Sequence, residues 1–215
     1  VYVQKQSYEE VVTDISDKQL SVLTESVHDH LNSYLRKPFT AVMALAHNVS
    51  YHNLYHPHDT SDIQSYLLSA FKNLYQSIPQ LDVIAFGSES GDFAGFRREL
   101  SDDYTLMVQD RYTDGDLIIY GTNHVSNSIR TVISPYDPRT RPWYTPVAET
   151  QTSMWSEIYT NADERQDITL SAMTPVYKHD RFAGVLVTDI RINTFNEFLR
   201  ELKYNTKASV YIMDP

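Results

Sequence analysis

The fold class is decided by residues 167–192, which read DITLSAMTPVYKHDRFAGVLVTDIRI. Two apolar runs rich in β-branched residues, Asp167–Tyr177 and Arg181–Ile192, flank the polar turn Lys178-His-Asp180, and this pattern predicts a β-hairpin. Short apolar runs between turn residues predict further strands at Leu81–Phe86, Phe93–Arg98, Tyr104–Val108, Leu117–Tyr120, Ser153–Tyr159 and Ala208–Ile212. Because these strands follow one another without a regular βαβ alternation, they predict an antiparallel sheet.

The N-terminal third of the chain has helical periodicity instead. From about Asp17 to Tyr51, apolar residues recur at spacings of three and four, with an interruption at Pro38. This pattern predicts one long helix with a kink, or two helices end to end. Two further helices are predicted at Ser61–Ser77 and Asn193–Lys203. Helices packed on an antiparallel sheet define an α+β domain.

Between two groups of strands lies Gly121–Thr150, which is rich in Pro, Asn, Ser and Arg and is predicted to be irregular. An irregular segment of this length inside a compact domain is usually functional. It contains the run Tyr136-Asp-Pro-Arg-Thr-Arg-Pro-Trp-Tyr144. An arginine fork can bind a carboxylate through two hydrogen bonds, and a tryptophan N–H can add a third. The structural alternative is a loop held over a buried Trp by Arg–Asp pairs.

The acid at position 189 interrupts the apolar strand Val185–Ile190, so its carboxylate needs a partner. That partner could be Arg191 or Arg139, in which case the pair would be structural. Alternatively, Asp189 could accept the ammonium group of a ligand. A site with Arg141 at one end and Asp189 at the other would match a zwitterion.

These features together resemble the double Cache sensor domains, which are extracytoplasmic ligand-binding modules of bacterial chemoreceptors, sensor kinases and diguanylate cyclases. The resemblance is carried by the long first helix, the run Phe86–Gly95, the Asp-Pro-Arg-x-Arg-Pro-Trp-Tyr run and the closing Gly-Val-Leu-Val-x-Asp strand. It implies a long N-terminal helix and a PAS-like antiparallel sheet with flanking helices. Residues 1–60 would form a stalk helix and loop, 61–205 the membrane-distal ligand-binding module, and 206–215 the start of a membrane-proximal module.

The amino-acid-binding branch of this family is marked by six residues in a fixed order. The matching residues here are Tyr136, Arg141, Trp143, Tyr144, Tyr159 and Asp189. The resemblance implies that the first three bind an α-carboxylate and that the last three bind an α-ammonium group. These residues address the backbone of an amino acid and do not specify its side chain. Amines or polyamines are an alternative class of ligand, and a ligand-free structural or dimerisation module is the remaining one.

The composition argues against several other functions. The chain has 18 Lys and Arg against 28 Asp and Glu, a net charge of −10, and no basic block, so we expect no nucleic-acid partner. It has no cysteine, which excludes thiol chemistry and disulfides. The run Gly87-Ser-Glu-Ser-Gly91 resembles a nucleophile elbow but lies in a hairpin-type turn, so no enzyme is predicted. His52 and His56 have a metal-pair spacing, but Pro57 breaks the helix there, and no metal or cofactor is predicted.

The resemblance also implies where such a chain works. Its relatives are the periplasmic parts of inner-membrane proteins that signal across the membrane. We therefore expect a small-molecule ligand, an extracytoplasmic location, a membrane anchor outside this chain and a homodimer formed through the N-terminal helix. The output domain is not encoded in these residues.

Overall fold

The computed structural model describes residues 2–99, 103–121 and 128–206, with the backbone alone for residues 2–16, 20 and 206. It contains four α-helices in this described part: α1 (Tyr2–Tyr51), α2 (Ser61–Leu74), α3 (Thr145–Thr150) and α4 (Ile192–Thr206). A single 3-10 turn covers Pro138–Thr140. The chain divides into two compact units, residues 37–195 and residues 1–36 with 196–215.

The larger unit is built on one antiparallel sheet. Its strands are β1 (Val83–Ser88), β2 (Phe93–Arg98), β3 (Tyr104–Gln109), β4 (Leu117–Tyr120), β5 (Ile129–Ile133), β6 (Met154–Trp155), β7 (Tyr159–Thr160), β8 (Ile168–Lys178) and β9 (Arg181–Arg191). The order across the sheet is β5-β4-β3-β2-β1-β9-β8-β6, and β7 also pairs with β8. The predicted hairpin of residues 167–192 is confirmed as β8–β9, and the α+β class is confirmed with it.

Helices cover the first face of this sheet. Buried apolar side chains at helical spacing form their contact surface: Val42, Leu45 and Val49 of α1 and Ile63, Leu67 and Phe71 of α2. They share one apolar cluster with Ile84 and Phe86 of β1. Each such side chain, when fully buried, contributes roughly 1.5–3 kcal/mol to stability. The helices therefore hold the sheet from one side and leave the other face available for a site.

The second face of the sheet is covered by the segment that precedes β6. Trp143, Tyr144 and Val147 are buried there and form a separate apolar cluster with Val83 and Ala85 of β1. Because successive residues of a strand point to opposite faces, β1 contributes to both clusters and all six of its residues are buried. This second face contains the candidate site.

Two predictions about secondary structure are wrong in part. The first helix does not begin near Asp17 but at Tyr2, and Pro38 lies inside it without ending it. Tyr8, Val11, Val12 and Ile15 already have helical spacing before Asp17, so the predicted start is too late. A proline removes one backbone hydrogen bond and is tolerated where neighbouring residues pack well, as Val42 and Leu45 do.

The segment Gly121–Thr150 is also less irregular than predicted, because it contains β5 and α3. In β5 most side chains are exposed or half-exposed, so it lacks the apolar alternation that marks a strand. Helix α3 has only six residues and is followed by Gln151, which has a left-handed backbone conformation. The predicted strand Ser153–Tyr159 is likewise divided into β6 and β7, and Ala208–Ile212 lies outside the described residues.

In the smaller unit, the described residues form two helical segments that contact each other. The ring of Tyr34 in α1 stacks on Phe198 of α4 with 4.0 Å between the ring centroids. Burial, together with the nearby Glu197 and Glu201, raises the pKa of Tyr34 to about 12. Across the described part of the chain, no helix combines the length and apolar character that crossing a bilayer requires.

Candidate ligand-binding site

A cavity on the second face of the sheet originates from two small residues in adjacent strands. Ala85 of β1 and Gly95 of β2 lie side by side, and in the same row they are flanked by Val187 of β9 and Met107 of β3. Because Gly95 has no side chain and Ala85 only a methyl group, the middle of the row is hollow. A Cβ atom added at Gly95 would lie 2.7 Å from the Cβ of Ala85.

Ala85, Met107 and Val187 of this row line a cavity of about 50 Å³, room for roughly four water molecules. Four of the six predicted site residues line it: Tyr136, Arg141, Trp143 and Asp189. Its floor is apolar, whereas its polar groups come from the covering segments and from β9. A small cavity with a few converging polar groups is typical of a site for a small molecule.

The two predicted charges of the site face this cavity without binding each other. Among the described residues, no ion pair of 4 Å or less joins Arg141 to Asp189. Instead, Nη2 of Arg141 donates a hydrogen bond to the carbonyl of Thr160 at 3.2 Å. One carboxylate oxygen of Asp189 accepts a hydrogen bond from the hydroxyl of Ser171 at 2.6 Å. A guanidinium and a carboxylate are therefore both available at one cavity.

The structural partners considered for Asp189 bind other acids. Arg139 forms an exposed ion pair with Asp137, with 2.8 Å between Nη2 and the carboxylate. Nε of Arg191 lies 2.9 Å from a carboxylate oxygen of Asp82. Neither guanidinium pairs with Asp189, so the two ion pairs that the sequence suggested for this acid are not formed.

Burial changes the protonation of Asp189. It is 5% exposed, and its pKa is raised from 3.8 to about 7, with desolvation by burial as the largest cause. The nearby acids Asp82 and Asp163 contribute to this rise, and hydrogen bonds from Ser171 and Asn161 oppose it. A buried acid with a pKa this far from its usual value, lining a cavity, is a typical feature of a functional site.

Tyr159 reaches the site through Ser171. The Tyr159 hydroxyl lies 2.9 Å from the Ser171 hydroxyl, which donates its own proton to Asp189, so Tyr159 is the donor in this chain of hydrogen bonds. Burial and the adjacent Asp189 raise the pKa of Tyr159 well above 10. Tyr159 therefore stays neutral, and its hydroxyl orients the Ser171 hydroxyl that binds Asp189.

Tyr136 and Trp143 form the aromatic wall of the cavity. The ring of Tyr136 packs edge-on against Phe93 at 5.5 Å, and burial raises its pKa, which keeps its hydroxyl neutral. Trp143 is buried against Gly87 of β1, where an added Cβ would lie 2.5 Å from the indole ring. Gly87 is thus required for the indole to approach the strand so closely.

Tyr144, like Tyr159, is a predicted site residue that does not line the cavity. It is buried, with its ring 6.2 Å from that of Phe182 and 5.8 Å from that of Trp143. Burial and the nearby Glu89 raise its pKa to about 12. A role of Tyr144 in binding an ammonium group remains a prediction, and the described contacts give it a packing role.

The segment between β7 and β8 contributes residues that the sequence did not indicate. Asn161, Ala162 and Asp163 line the cavity. Asp163 is bound by Arg97, whose side chain is 1% exposed on the same face of the sheet. The one available signal was Arg97 itself, an arginine within the apolar strand run Phe93–Arg98. Its partner 66 residues further on could not be read from the sequence.

The loop that contains His56 and His58 does not line the cavity. Nε2 of His56 lies 3.4 Å from Asp62, and Nδ1 of His58 lies 3.3 Å from Asp92. Among the described residues, no group of three or more His, Cys, Asp and Glu side chains is arranged to hold a metal ion. The Gly87–Gly91 run lies at the β1–β2 hairpin, as predicted.

A helix-backed antiparallel sheet with a small charged cavity under a covering loop is consistent with a ligand-binding sensor module. In agreement, residues 99–197 match the family described as methyl-accepting chemotaxis protein-like, first PDC sensor domain. This match confirms the predicted resemblance to chemoreceptor sensor domains. No curated protein sequence matches the chain.

Solved chemoreceptor domains have the same fold. The ligand-binding domain of the Pseudomonas fluorescens chemoreceptor CtaA in complex with L-valine has a TM-score of 0.58 at 18% identity, covering 88% of this chain and 67% of that one. The Pseudomonas aeruginosa PAO1 amino acid chemoreceptor PctC in complex with GABA has a TM-score of 0.56 at 18% identity, with coverages of 88% and 67%. The Campylobacter jejuni chemoreceptor Tlp3 in complex with L-valine has a TM-score of 0.57 at 13% identity, with coverages of 88% and 64%.

The chain spans about two thirds of the length of these structures. At identities of 13–18% the likeness establishes the fold. The ligand is a separate question, which depends on the side chains that line this cavity.

Proposed function

We propose that this chain is the extracytoplasmic sensor region of a transmembrane receptor and that it binds a free α-amino acid. The observation that supports the proposal is the pair Arg141 and Asp189, two opposite charges that line one cavity without binding each other. A zwitterion compensates both charges at once, and a ligand with one charge compensates only one. The complexes of CtaA and PctC with amino acids and GABA are consistent with this class of ligand.

The α-carboxylate would bind at Arg141. A guanidinium offers two parallel N–H donors that fit a carboxylate, and the neutral hydroxyl of Tyr136 and the indole N–H of Trp143 are further donors of the same lining. The carbonyl of Thr160, which now accepts from Arg141, leaves part of the fork available. Binding would therefore supplement or replace a neutral hydrogen bond with stronger charge-assisted ones.

The α-ammonium would bind at Asp189. Its carboxylate is oriented by Ser171, and Ser171 is in turn oriented by Tyr159. A cation at this position offsets the desolvation that raises the pKa of the acid, so binding and ionisation of Asp189 favour each other. A buried charge that lacks a partner before binding and gains one on binding is a direct source of affinity.

The remaining features of the proposal concern the whole receptor. We propose that this region lies in the periplasm, that the receptor is anchored in the membrane through segments outside this chain, and that it dimerises through α1. Any catalytic output would belong to another domain. The ligand would act by binding one signalling state more tightly than the other, because a ligand shifts an equilibrium only by that difference.

An amine or polyamine is the second candidate ligand, and one observation favours it. Arg141, the guanidinium of the described lining, already donates to the carbonyl of Thr160, whereas no ion pair compensates Asp189 among the described residues. In this case Arg141 would be structural and Asp189 alone would select the ligand. A ligand-free structural module is the remaining alternative.

A thermal-shift screen with the twenty amino acids, common amines and carboxylic acids separates these functions. At 100-fold excess over the dissociation constant, a ligand stabilises the folded state by about 2.7 kcal/mol, which raises the melting temperature of a domain this size by roughly 5–10 °C. We expect an amino acid to give this shift. The variants Arg141→Gln and Asp189→Asn should each abolish it, and Arg139→Gln, which changes an arginine outside the cavity lining, should not. Stabilisation by amines that survives in Arg141→Gln would favour the amine function, and no shift with any compound would favour the structural one.

A further inference from the structure

We infer that the cavity accepts a small, uncharged aliphatic side chain and that Met107 sets the size limit. This inference rests on the proposed function, because it takes the α-carboxylate to lie at Arg141 and the α-ammonium at Asp189. The rest of the cavity is then what surrounds the side chain of the ligand.

Apart from Asn161 and Asp163, that remaining surface is apolar. Its walls are Val83, Ala85, Phe93, Met107, Leu117 and Val187, and each of these residues is at most 6% exposed. A charged or strongly polar side chain placed against them would lose its hydration and gain no hydrogen bond. Aliphatic side chains, in contrast, are stabilised by the same contact.

The third charged residue of the described lining, Asp163, offers no free charge to a basic side chain. One of its oxygens accepts hydrogen bonds from the backbone N–H groups of Arg165 at 3.1 Å and Gln166 at 3.2 Å. The other accepts from the buried Arg97 guanidinium. Asp163 is therefore already compensated, and lysine or arginine as a ligand would find no partner for its side chain there.

The size limit follows from the row of residues under the cavity. Met107 lies two strands from Ala85, which is about 10 Å between Cα atoms at the usual strand spacing, and Gly95 stands between them. Since Gly95 has no side chain, we take the long unbranched side chain of Met107 to determine how much cavity space remains next to Gly95. Methionine adapts to such irregular spaces, and shortening it opens the cavity in this direction.

Titration calorimetry tests this inference with residues 1–215 and seven ligands: glycine, alanine, valine, leucine, phenylalanine, aspartate and lysine. We expect the wild type to bind alanine or valine at least about tenfold more tightly than aspartate, lysine or phenylalanine. In Met107→Ala, the affinity for leucine or phenylalanine relative to alanine should rise by about tenfold or more. In Met107→Phe, binding should be restricted to glycine and alanine.

Met173→Ala is the matched control. Met173 lies in the same row, on the other side of Val187, and it is fully buried but does not line the cavity. We expect this variant to lose stability and to keep the wild-type ratio of affinities. A charged amino acid as the best ligand, or unchanged ratios in both Met107 variants, would overturn the inference while the proposed function stood. If none of the seven bound, the proposed function would fail instead.

Discussion

The carboxyl group of Asp189 has a pKa far above its ordinary value, because it is buried in this cavity. Burial raises its pKa to about 7, so near neutral pH about half of the ligand-free molecules hold it protonated. The ligand ammonium that we propose would bind only the ionised form. Binding is therefore coupled to release of a proton, and both the affinity and the stability of the ligand-free protein depend on pH.

The affinity for an amino acid should fall as the pH falls below 7. The amino acid remains a zwitterion over this range, so the change comes from protonation of Asp189, at about tenfold per pH unit. We expect a dissociation constant roughly 100-fold higher at pH 5 than at pH 8, measured by titration calorimetry. The residual binding of Asp189→Asn, if measurable, should be independent of pH, and a wild-type affinity that is constant between pH 5 and 8 would contradict a role for this acid.

The stability of the ligand-free protein, unlike its affinity for the ligand, should rise as the pH falls below 7. The folded pKa of about 7 lies above the ordinary value of 3.8, so between these values the folded state holds a proton that the unfolded state has released. The contribution of Asp189 to stability is therefore lost as the pH rises towards 7 and beyond. We expect Asp189→Asn to raise the free energy of unfolding by roughly 2–4 kcal/mol at pH 8, measured by urea denaturation, and to have little effect at pH 4. Destabilisation at pH 8 would show that the carboxylate is structural.

Neighbouring residues show what sequence alone could predict about this site. Arg141, Trp143 and Asp189 were indicated by their order along the chain, and all three line the cavity. Tyr144 is adjacent to Trp143 and yet packs towards Phe182, because neighbouring side chains at the start of a helix point in different directions. The sequence shows which types of side chain are present, whereas the direction in which each side chain points depends on the local backbone.

Pairing between distant elements was beyond prediction for a related reason. The run Phe93–Arg98 was predicted with its observed bounds because apolar residues and turn signals define it. In contrast, Arg97 binds Asp163 and Glu164, which lie in a turn of ordinary polar composition. No local pattern marks such a partner. The exposed edge strand β5 was missed because edge strands bury few side chains.

The segment between β7 and β8 should depend on Arg97 for its position over the cavity. This guanidinium is buried and binds Asp163, Glu164 and Glu99. Glu99 and Glu164 also lie near Arg130, so removing Arg97 chiefly leaves the buried Asp163 without its ion pair. We expect Arg97→Gln to lower the free energy of unfolding by about 3–5 kcal/mol, measured by urea denaturation. It should also increase hydrogen exchange in residues 161–167.

Arg139→Gln provides the comparison for this prediction. Arg139 forms an ion pair with Asp137 that is largely exposed, and such pairs contribute at most about 1 kcal/mol. We expect this variant to keep wild-type hydrogen exchange in residues 161–167. Equal effects of the two substitutions would indicate that Arg97 does not hold this segment.

In the whole molecule, the cavity belongs to the unit of residues 37–195, and the chain continues from it into the other unit. Asp189 lies on β9, which ends at Arg191 and is followed directly by α4. A ligand bound at Asp189 is therefore three residues along the chain from Ile192, where a helix starts. This connection is consistent with the proposed role as a sensor, in which binding at the cavity changes the state of elements outside it.

The most direct test of the account compares an amino acid with analogues that lack one of its charges. Valine, isobutylamine and 3-methylbutanoate share an aliphatic side chain and differ in having both charges, only the ammonium, or only the carboxylate. We predict that titration calorimetry at pH 8 detects binding of valine and affinities for the two analogues that are weaker by at least about 100-fold, since each leaves a charge of the cavity uncompensated. Binding of either analogue as tightly as valine would contradict the claim that Arg141 and Asp189 together recognise a zwitterion.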